Sequence, residues 1–327
     1  MNKIYGPSRR GKPMPGDDQQ KLISDDNLLG EIAEVFVDDT VAKSKKKQDH
    51  INDLARVLIR LVANRITIKM EKGLWGTDEV PLLGHVVKCG EGVAISPSKV
   101  AAMAALTPME TVAELRTFLG AAGFLQRYVP EYAELAGAVR ALDTLKKVGA
   151  RNRAAYERIE WTEEALAAFE AIKAALVAAP VLAFPDFSRP FIICVDASKT
   201  TVGGGLAQLD SKGVERPIAY FSCNLSQAQR NYGITDKECL GIVMACRKFR
   251  SYIAHSGAVL ITDHSAALSL RNPKKEFTND RLYRYAVELD QYQLVLAHRP
   301  GRELYMADLL SRAECMQDEQ AVLELIK

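Results

Sequence analysis

The chain has 327 residues, 48% of them hydrophobic and 26% charged, with 43 basic against 41 acidic side chains for a net charge of +2. These proportions are ordinary for a globular protein and exclude wholesale disorder or a fibrous repeat, and at 36.0 kDa the chain exceeds the usual reach of one hydrophobic core. No apolar run approaches the roughly 20 residues that cross a bilayer, so no membrane span is expected, and the balanced charge means that any nucleic-acid partner has to be argued from local patches.

Residues 1–25 are rich in Pro, Gly and polar side chains and read as an extended arm. Lys3, Arg9, Arg10 and Lys12 precede the first acid, Asp17, but lack the amphipathic spacing of a transit peptide, leaving organelle targeting as an alternative only. An apolar stretch from Leu28 ends in Val35-Phe36-Val37 before Asp38-Asp39, the pattern of a strand running into a turn. A basic cluster, Lys45, Lys46 and Lys47, precedes Ile51, Leu54, Val57, Leu58 and Leu61 at helical spacing. Short strands are expected at 66–69 and 80–87, then two helices between 96 and 136. The second of these opens on a capping box, Thr111 with Glu114.

Polar residues 146–153 mark a boundary, and 162–178 form an Ala-rich amphipathic helix ended by Pro180. Beyond it the texture alternates. Residues 191–195, 205–208 and 218–221 read as three sequential antiparallel strands, followed by a long helix over 235–252. A strand at 259–262, helices near 266–270 and 280–291, a strand at 293–297 and a terminal helix from about 303 complete the order βββαβααβα. That order defines an α/β fold with a mixed five-stranded sheet.

Acids at the ends of apolar segments are the informative feature. Asp196 closes Ile192-Ile193-Cys194-Val195, and Asp263 closes Val259-Leu260-Ile261-Thr262. On adjacent strands these two lie side by side, and Glu238 and Asp308 complete a cluster whose mutual repulsion calls for cations. Hard oxygen ligands suit two Mg²⁺, with Mn²⁺ as a substitute, and such a pair serves phosphodiester hydrolysis. Each acid also has a plain structural reading. Thr235 to Glu238 is a second capping box, Asp196 starts a turn, Asp308 sits on a solvated helix, and Asp38-Asp39 is one of three Asp-Asp pairs. Six cysteines, Cys89, Cys194, Cys223, Cys239, Cys246 and Cys315, form no CxxC pair, which points to a reducing intracellular compartment, cytoplasm or nucleus.

Taken together, the segments from about Asn27 to Arg312 resemble the polymerase polyprotein of gypsy-type LTR retrotransposons. Phe36-Val37-Asp38-Asp39 is similar to the reverse transcriptase catalytic turn, and Leu82-Leu83-Gly84-His85 to the primer-grip hairpin. Residues 96–100, 111–120 and 128–130 resemble the thumb and the start of the connection, and Phe169 with 179–187 resembles the tether before a ribonuclease H domain. Asp196, Glu238, Asp263 and Asp308 fall in the contexts of that domain's four metal-binding carboxylates, and His298-Arg299-Pro300-Gly301 matches its HxPG segment, whose His assists proton transfer or product release.

After the extended arm at 1–25, the resemblance implies a partial reverse transcriptase palm and start of the thumb at 26–95, and a helical thumb/connection at 96–150. A tether helix at 151–188, a ribonuclease H-like domain at 189–313 and a C-terminal tail at 314–327 follow. The implied activity is two-metal endonucleolytic cleavage of RNA in an RNA–DNA hybrid, with Lys45, Lys46, Lys47, Arg247, Lys248 and Arg250 available to phosphates. Residues 1–25 do not match what precedes the catalytic turn, so the polymerase part is expected to be incomplete and inactive by itself. Two other readings are a domesticated retrotransposon fragment serving as a subunit of a larger assembly with other proteins, and an excerpt of a longer polyprotein with active reverse transcriptase.

Overall fold

The computed structural model describes residues 28–36, 39–143, 158–271 and 279–298. The expected arm at 1–25, Asp38, the boundary at 146–153, Asp308, the terminal helix and the tail at 314–327 lie outside the described residues. Contacts divide the chain into one unit up to Gly76 and another from Thr77 onward.

In the first unit, strands β1 (Ala33–Phe36) and β2 (Asp39–Ala42) pair antiparallel, with Phe36 opposite Asp39. Helix α1 (His50–Ala63) lays Val57 and Leu61 on Leu28, Ile32 and Ala33, as the apolar spacing requires. The strand expected at 66–69 does not form. Arg65, at φ 57°, turns the chain off the helix, and the Ile66 N–H donates back to the Leu61 carbonyl at 3.0 Å. Ile66 then packs on the helix core instead of a sheet.

The second unit opens with three antiparallel strands, β3 (Glu79–Leu82), β4 (His85–Lys88) and β5 (Gly92–Ile95). Helix α2 (Pro97–Ala104) starts on Ser96, whose hydroxyl accepts from the Lys99 N–H, with Pro97 at the first helical position. Helix α3 (Val112–Phe124) carries the capping box expected at Thr111 and Glu114. Helix α4 (Tyr132–Ala141) and helix α5 (Glu163–Val177) complete a helical layer. Its core joins Leu115, Phe118, Tyr128, Tyr132, Phe169 and Ile172 to Tyr220 of the large sheet that follows.

That sheet consists of β6 (Phe191–Ala197), β7 (Thr201–Leu209), β8 (Glu215–Asn224), β9 (Ala258–Thr262) and β10 (Leu294–His298). Its order is β10-β9-β6-β7-β8, with β6, β7 and β8 antiparallel and β9 parallel to both β6 and β10. Helix α6 (Gln227–Arg230) precedes α7 (Ile234–Lys248), which buries Cys239, Ile242, Val243 and Cys246 in the main core with Phe191, Ile193 and Val195. The helix expected over 235–252 breaks at Phe249. This buried ring ends α7, and α8 (Arg250–Ser256) continues. The segment expected as a helix near 266–270 is a 3₁₀ turn, Ser265–Arg271, and α9 (Asp280–Leu289) leads into β10.

Candidate metal centre

Because β6 and β9 run parallel with Cys194 opposite Ile261, extending that register by two residues places Asp196 beside Asp263 at the same end of the sheet. Carboxylates at the carboxyl ends of neighbouring central strands face the crevice where α/β folds place their sites. Helix α7 supplies the third acid. Gly241 lets this helix approach the sheet, since a Cβ there would lie 3.1 Å from Val195 and 3.2 Å from Val202. Glu238 stands three residues earlier on the same helix face. One oxygen from each of Asp196, Glu238 and Asp263 lies within 4.8 Å of the others.

The three acids differ in exposure. Asp196 and Asp263 are exposed at the strand ends, whereas Glu238 is 6% exposed and its Oε2 has no hydrogen-bond partner among the described residues. The reading of Glu238 as half of a capping box is overturned: α7 begins at Ile234 with Gly233 as its cap and no side-chain cap bond, so Glu238 sits beyond the first turn. Burial first, then the charges of Asp196 and Asp263, push its carboxyl up to about 8. Burial and the Asp263 charge also raise Asp196, against a bond from the Ala197 N–H. A buried carboxylate without a donor is costly and is relieved by a proton or a cation. Three hard oxygens converging on one point fit a divalent cation.

His298 ends β10, with its Nε2 3.0 Å from the Asp263 carbonyl oxygen, so it borders the cluster through the backbone. Asp308 lies outside the described residues. Two acids that sequence reasoning missed come from the helical layer. Glu134 of α4 accepts from Thr201 Oγ1 at 3.3 Å, and its charge adds to that raising Asp196. Glu131, at φ 51°, is itself raised by burial, Glu134 and Asp196. Only the docking of α4 on β8, where the Ala133 N–H donates to Ser222 Oγ at 2.7 Å, brings them there. No local pattern signals that contact.

Of the remaining candidates, Asp39 and the three lysines belong to the first unit. Asp39 is exposed at the start of β2, and Lys45, Lys46 and Lys47 are exposed in the turn before α1. Leu83 and Gly84, at φ 51° and 78°, form the two-residue turn between β3 and β4. His85 follows, its Nδ1 2.9 Å from the Tyr128 hydroxyl and its ring stacked on Phe124. Burial, then Arg127 and Lys99, lower its pKa. Arg247 makes a two-pronged bond to Glu288 at 2.6 and 2.7 Å and lines an open cavity of about 540 Å³ with Arg250, Tyr283 and Arg284. Nine residues separate Arg247 from Glu238, which turns it to the opposite side of α7. Lys248 lines a second hollow with Gln126 and Met244.

A five-stranded mixed sheet with this acid cluster defines a ribonuclease H-like fold. Residues 161–260 match the family model of the RNase H-like domain found in reverse transcriptase, a span holding Asp196 and Glu238 and stopping just before Asp263. The chain is homologous to retrotransposon Pol polyproteins of the gypsy and Tf2 kinds, over a stretch that fits their C-terminal reverse transcriptase and ribonuclease H region. It is 31% identical to the retrovirus-related Pol polyprotein from transposon opus of Drosophila melanogaster, over 90% of this chain and 29% of that relative. Against the polyprotein from transposon gypsy of the same organism identity is 30%, over 87% of this chain and 27% of the relative. The Schizosaccharomyces pombe transposon Tf2-3 polyprotein is 29% identical, over 87% and 21%. The chain thus spans less than a third of the length of these relatives.

Among solved structures, the foamy viral protease-reverse transcriptase bound to double-stranded DNA superposes with a TM-score of 0.69 at 20% identity, over 86% of this chain and 48% of that one. The same viral protein with an RNA/DNA hybrid gives 0.66 at 19%, over 87% and 37%. No helix among the described residues is long and apolar enough to cross a membrane.

Proposed function

We propose that this chain is a retroelement-derived ribonuclease H that cuts the RNA strand of an RNA–DNA hybrid. The observation that carries the reading is the buried, partnerless Glu238 Oε2 facing two further carboxylates at the ends of parallel strands. Asp196, Glu238 and Asp263 hold divalent cations, with Asp308 as the fourth acid by resemblance. Two Mg²⁺, or Mn²⁺, held by these acids would supply an activated water and stabilise the leaving oxygen of the phosphodiester.

The protein's own groups set the rest. The rigid ends of β6 and β9 fix the spacing of Asp196 and Asp263, and α7 presents Glu238 from the dry side of the sheet. His298, on the edge strand β10, assists proton transfer or product release by the same resemblance. A hybrid is read by the shape of its wide minor groove and its 2′-hydroxyls. Arg247, Lys248 and Arg250 in the second unit and Lys45, Lys46 and Lys47 in the first meet phosphates. Leu83, Gly84 and His85 form a primer-grip-like edge in the partial palm and start of the thumb at 26–95, ahead of the helical thumb/connection at 96–150. In the polymerase-like turn, Asp39 joins no group of three metal-ligating side chains among the described residues, which do not include Asp38.

The test is incubation of the purified chain with an end-labelled RNA–DNA hybrid and Mg²⁺, beside Asp263→Asn. Cut RNA that disappears in the variant is the expected result. No cleavage by folded protein in either Mg²⁺ or Mn²⁺ overturns the proposal.

A further inference from the structure

Helix α7 starts without a capping side chain. Gly233 precedes it and offers none, so the first turn, just before Glu238, has no local anchor for its orphan N–H groups. The side chains of the turn are tied to other elements instead, with Asn279 Nδ2 donating to Asp236 at 3.4 Å. Asp236 receives the Arg281 guanidinium at 2.7 Å, which ties the turn to α9, and Arg281 also stands over the Tyr232 ring at 3.7 Å. Thr235 Oγ1 lies 3.0 Å from His264 Nε2, and this contact reaches the element that carries Asp263.

His264 is itself fixed. Its backbone N–H donates to the hydroxyl of Thr262, a residue with no exposed surface at the end of β9, and its carbonyl accepts from the Ala267 N–H. The peptide between Thr262 and His264 is therefore held from several sides, with His298 on the Asp263 carbonyl from β10. Thr235 joins this rigid corner to the turn of α7 that leads into Glu238. Of the contacts described at that turn, this is the one that links two of the cluster's three carboxylate-bearing elements.

We propose that Thr235 and His264 are positioning residues, whose hydrogen bond sets the separation of Glu238 from Asp263 and with it the affinity of the cluster for divalent cations. The inference rests on the metal-centre reading above. Groups behind a ligand shell that orient the ligands typically change metal affinity by about 10- to 100-fold when removed. Thr235→Val keeps the shape of the side chain and deletes the hydroxyl, and Thr235→Ser keeps the hydroxyl.

The experiment measures Mn²⁺ binding to the full chain by titration calorimetry, with no nucleic acid present, together with the melting temperature of each variant. Thr235→Val and His264→Phe are each expected to weaken Mn²⁺ binding by about tenfold, with Thr235→Ser near wild type. The double variant is expected to be no weaker than either single one, because both remove the same bond. Unchanged Mn²⁺ affinity in Thr235→Val, or losses that simply multiply in the double variant, overturns the inference. A change in melting temperature that Thr235→Ser shares equally, without any difference in Mn²⁺ affinity, also overturns it. A wild-type chain that binds no Mn²⁺ overturns the metal-centre reading and this inference with it, whereas wild-type binding that Thr235→Val leaves intact overturns this inference alone.

Discussion

In the first unit Asp39 opens a four-residue strand whose partner is β1, over a core of Leu28, Ile32, Ala33, Val57 and Leu61. In the second, Asp196 and Asp263 end neighbouring strands inside a five-stranded sheet, and a helix pinned by Gly241 brings Glu238 against them. Both places put an acid at or near the end of a strand. Among the described residues, the second adds a buried carboxylate oxygen without a hydrogen-bond partner, and that requirement for compensation distinguishes it from the exposed Asp39.

The largest expected effect follows directly. Asp196→Asn or Asp263→Asn should reduce hybrid cleavage by about a thousandfold or more and abolish measurable Mn²⁺ binding, since each removes a ligand charge from the cluster. Asp39→Asn should change neither. Loss of Mn²⁺ binding in Asp39→Asn would erase the contrast between the two turns.

Core substitutions test the supports themselves. Phe169 is fully buried and meets Phe118 edge-on at 5.0 Å, so Phe169→Ala should cost about 3–5 kcal/mol in urea unfolding. Leu61→Ala in the smaller core should cost about 2 kcal/mol, the low end for such a change. Equal losses would mean that the first unit is as tightly built as the second.

A pH series sharpens the point about Glu238. Its carboxyl is held up to about 8 when folded, against roughly 4.3 in an unfolded chain. A raised pKa means that folding favours the protonated form. Its stabilising contribution is therefore complete below about pH 4 and is lost as pH rises toward 8, by up to about 1.4 kcal/mol per pH unit. Urea titrations in EDTA at pH 5 and pH 8 should show this loss, and Glu238→Gln should flatten it. Wild type and Glu238→Gln with the same slope would refute the assignment.

The smallest effect is expected at the far side of α7. Arg247 is more than half exposed, and removing its bond to Glu288 should cost less than about 1 kcal/mol without altering Mn²⁺ affinity.

Strand-end acids were legible in the sequence because a β-strand reports itself locally: Ile192-Ile193-Cys194-Val195 closed by Asp196, and Val259-Leu260-Ile261-Thr262 closed by Asp263, need no knowledge of the rest of the chain. The same holds for the Thr111–Glu114 box, whose partners are three residues apart. Glu238 was placed with the other acids, and its alternative reading as half of a capping box fails because the Thr-x-x-Glu spacing does not reveal that the cap lies two residues earlier, at Gly233. Residues 66–69 looked like a strand by composition, yet Ile66 was already committed to closing α1. Glu131 and Glu134 were invisible, since their place beside Asp196 depends on α4 docking on a strand about 90 residues later in the chain, a distance that the Ala133–Ser222 bond spans.

The family match begins at residue 161, on the doorstep of α5. Phe169, Ile172 and Leu176 of that helix lie buried among Leu115, Phe118 and Tyr132, in the same cluster that takes in Tyr220 from the large sheet. The border that sequence comparison draws is therefore no fault line in the solid. A fragment cut there would carry a bare oily strip along α5, and it would be expected to clump with its own copies before it could meet a substrate.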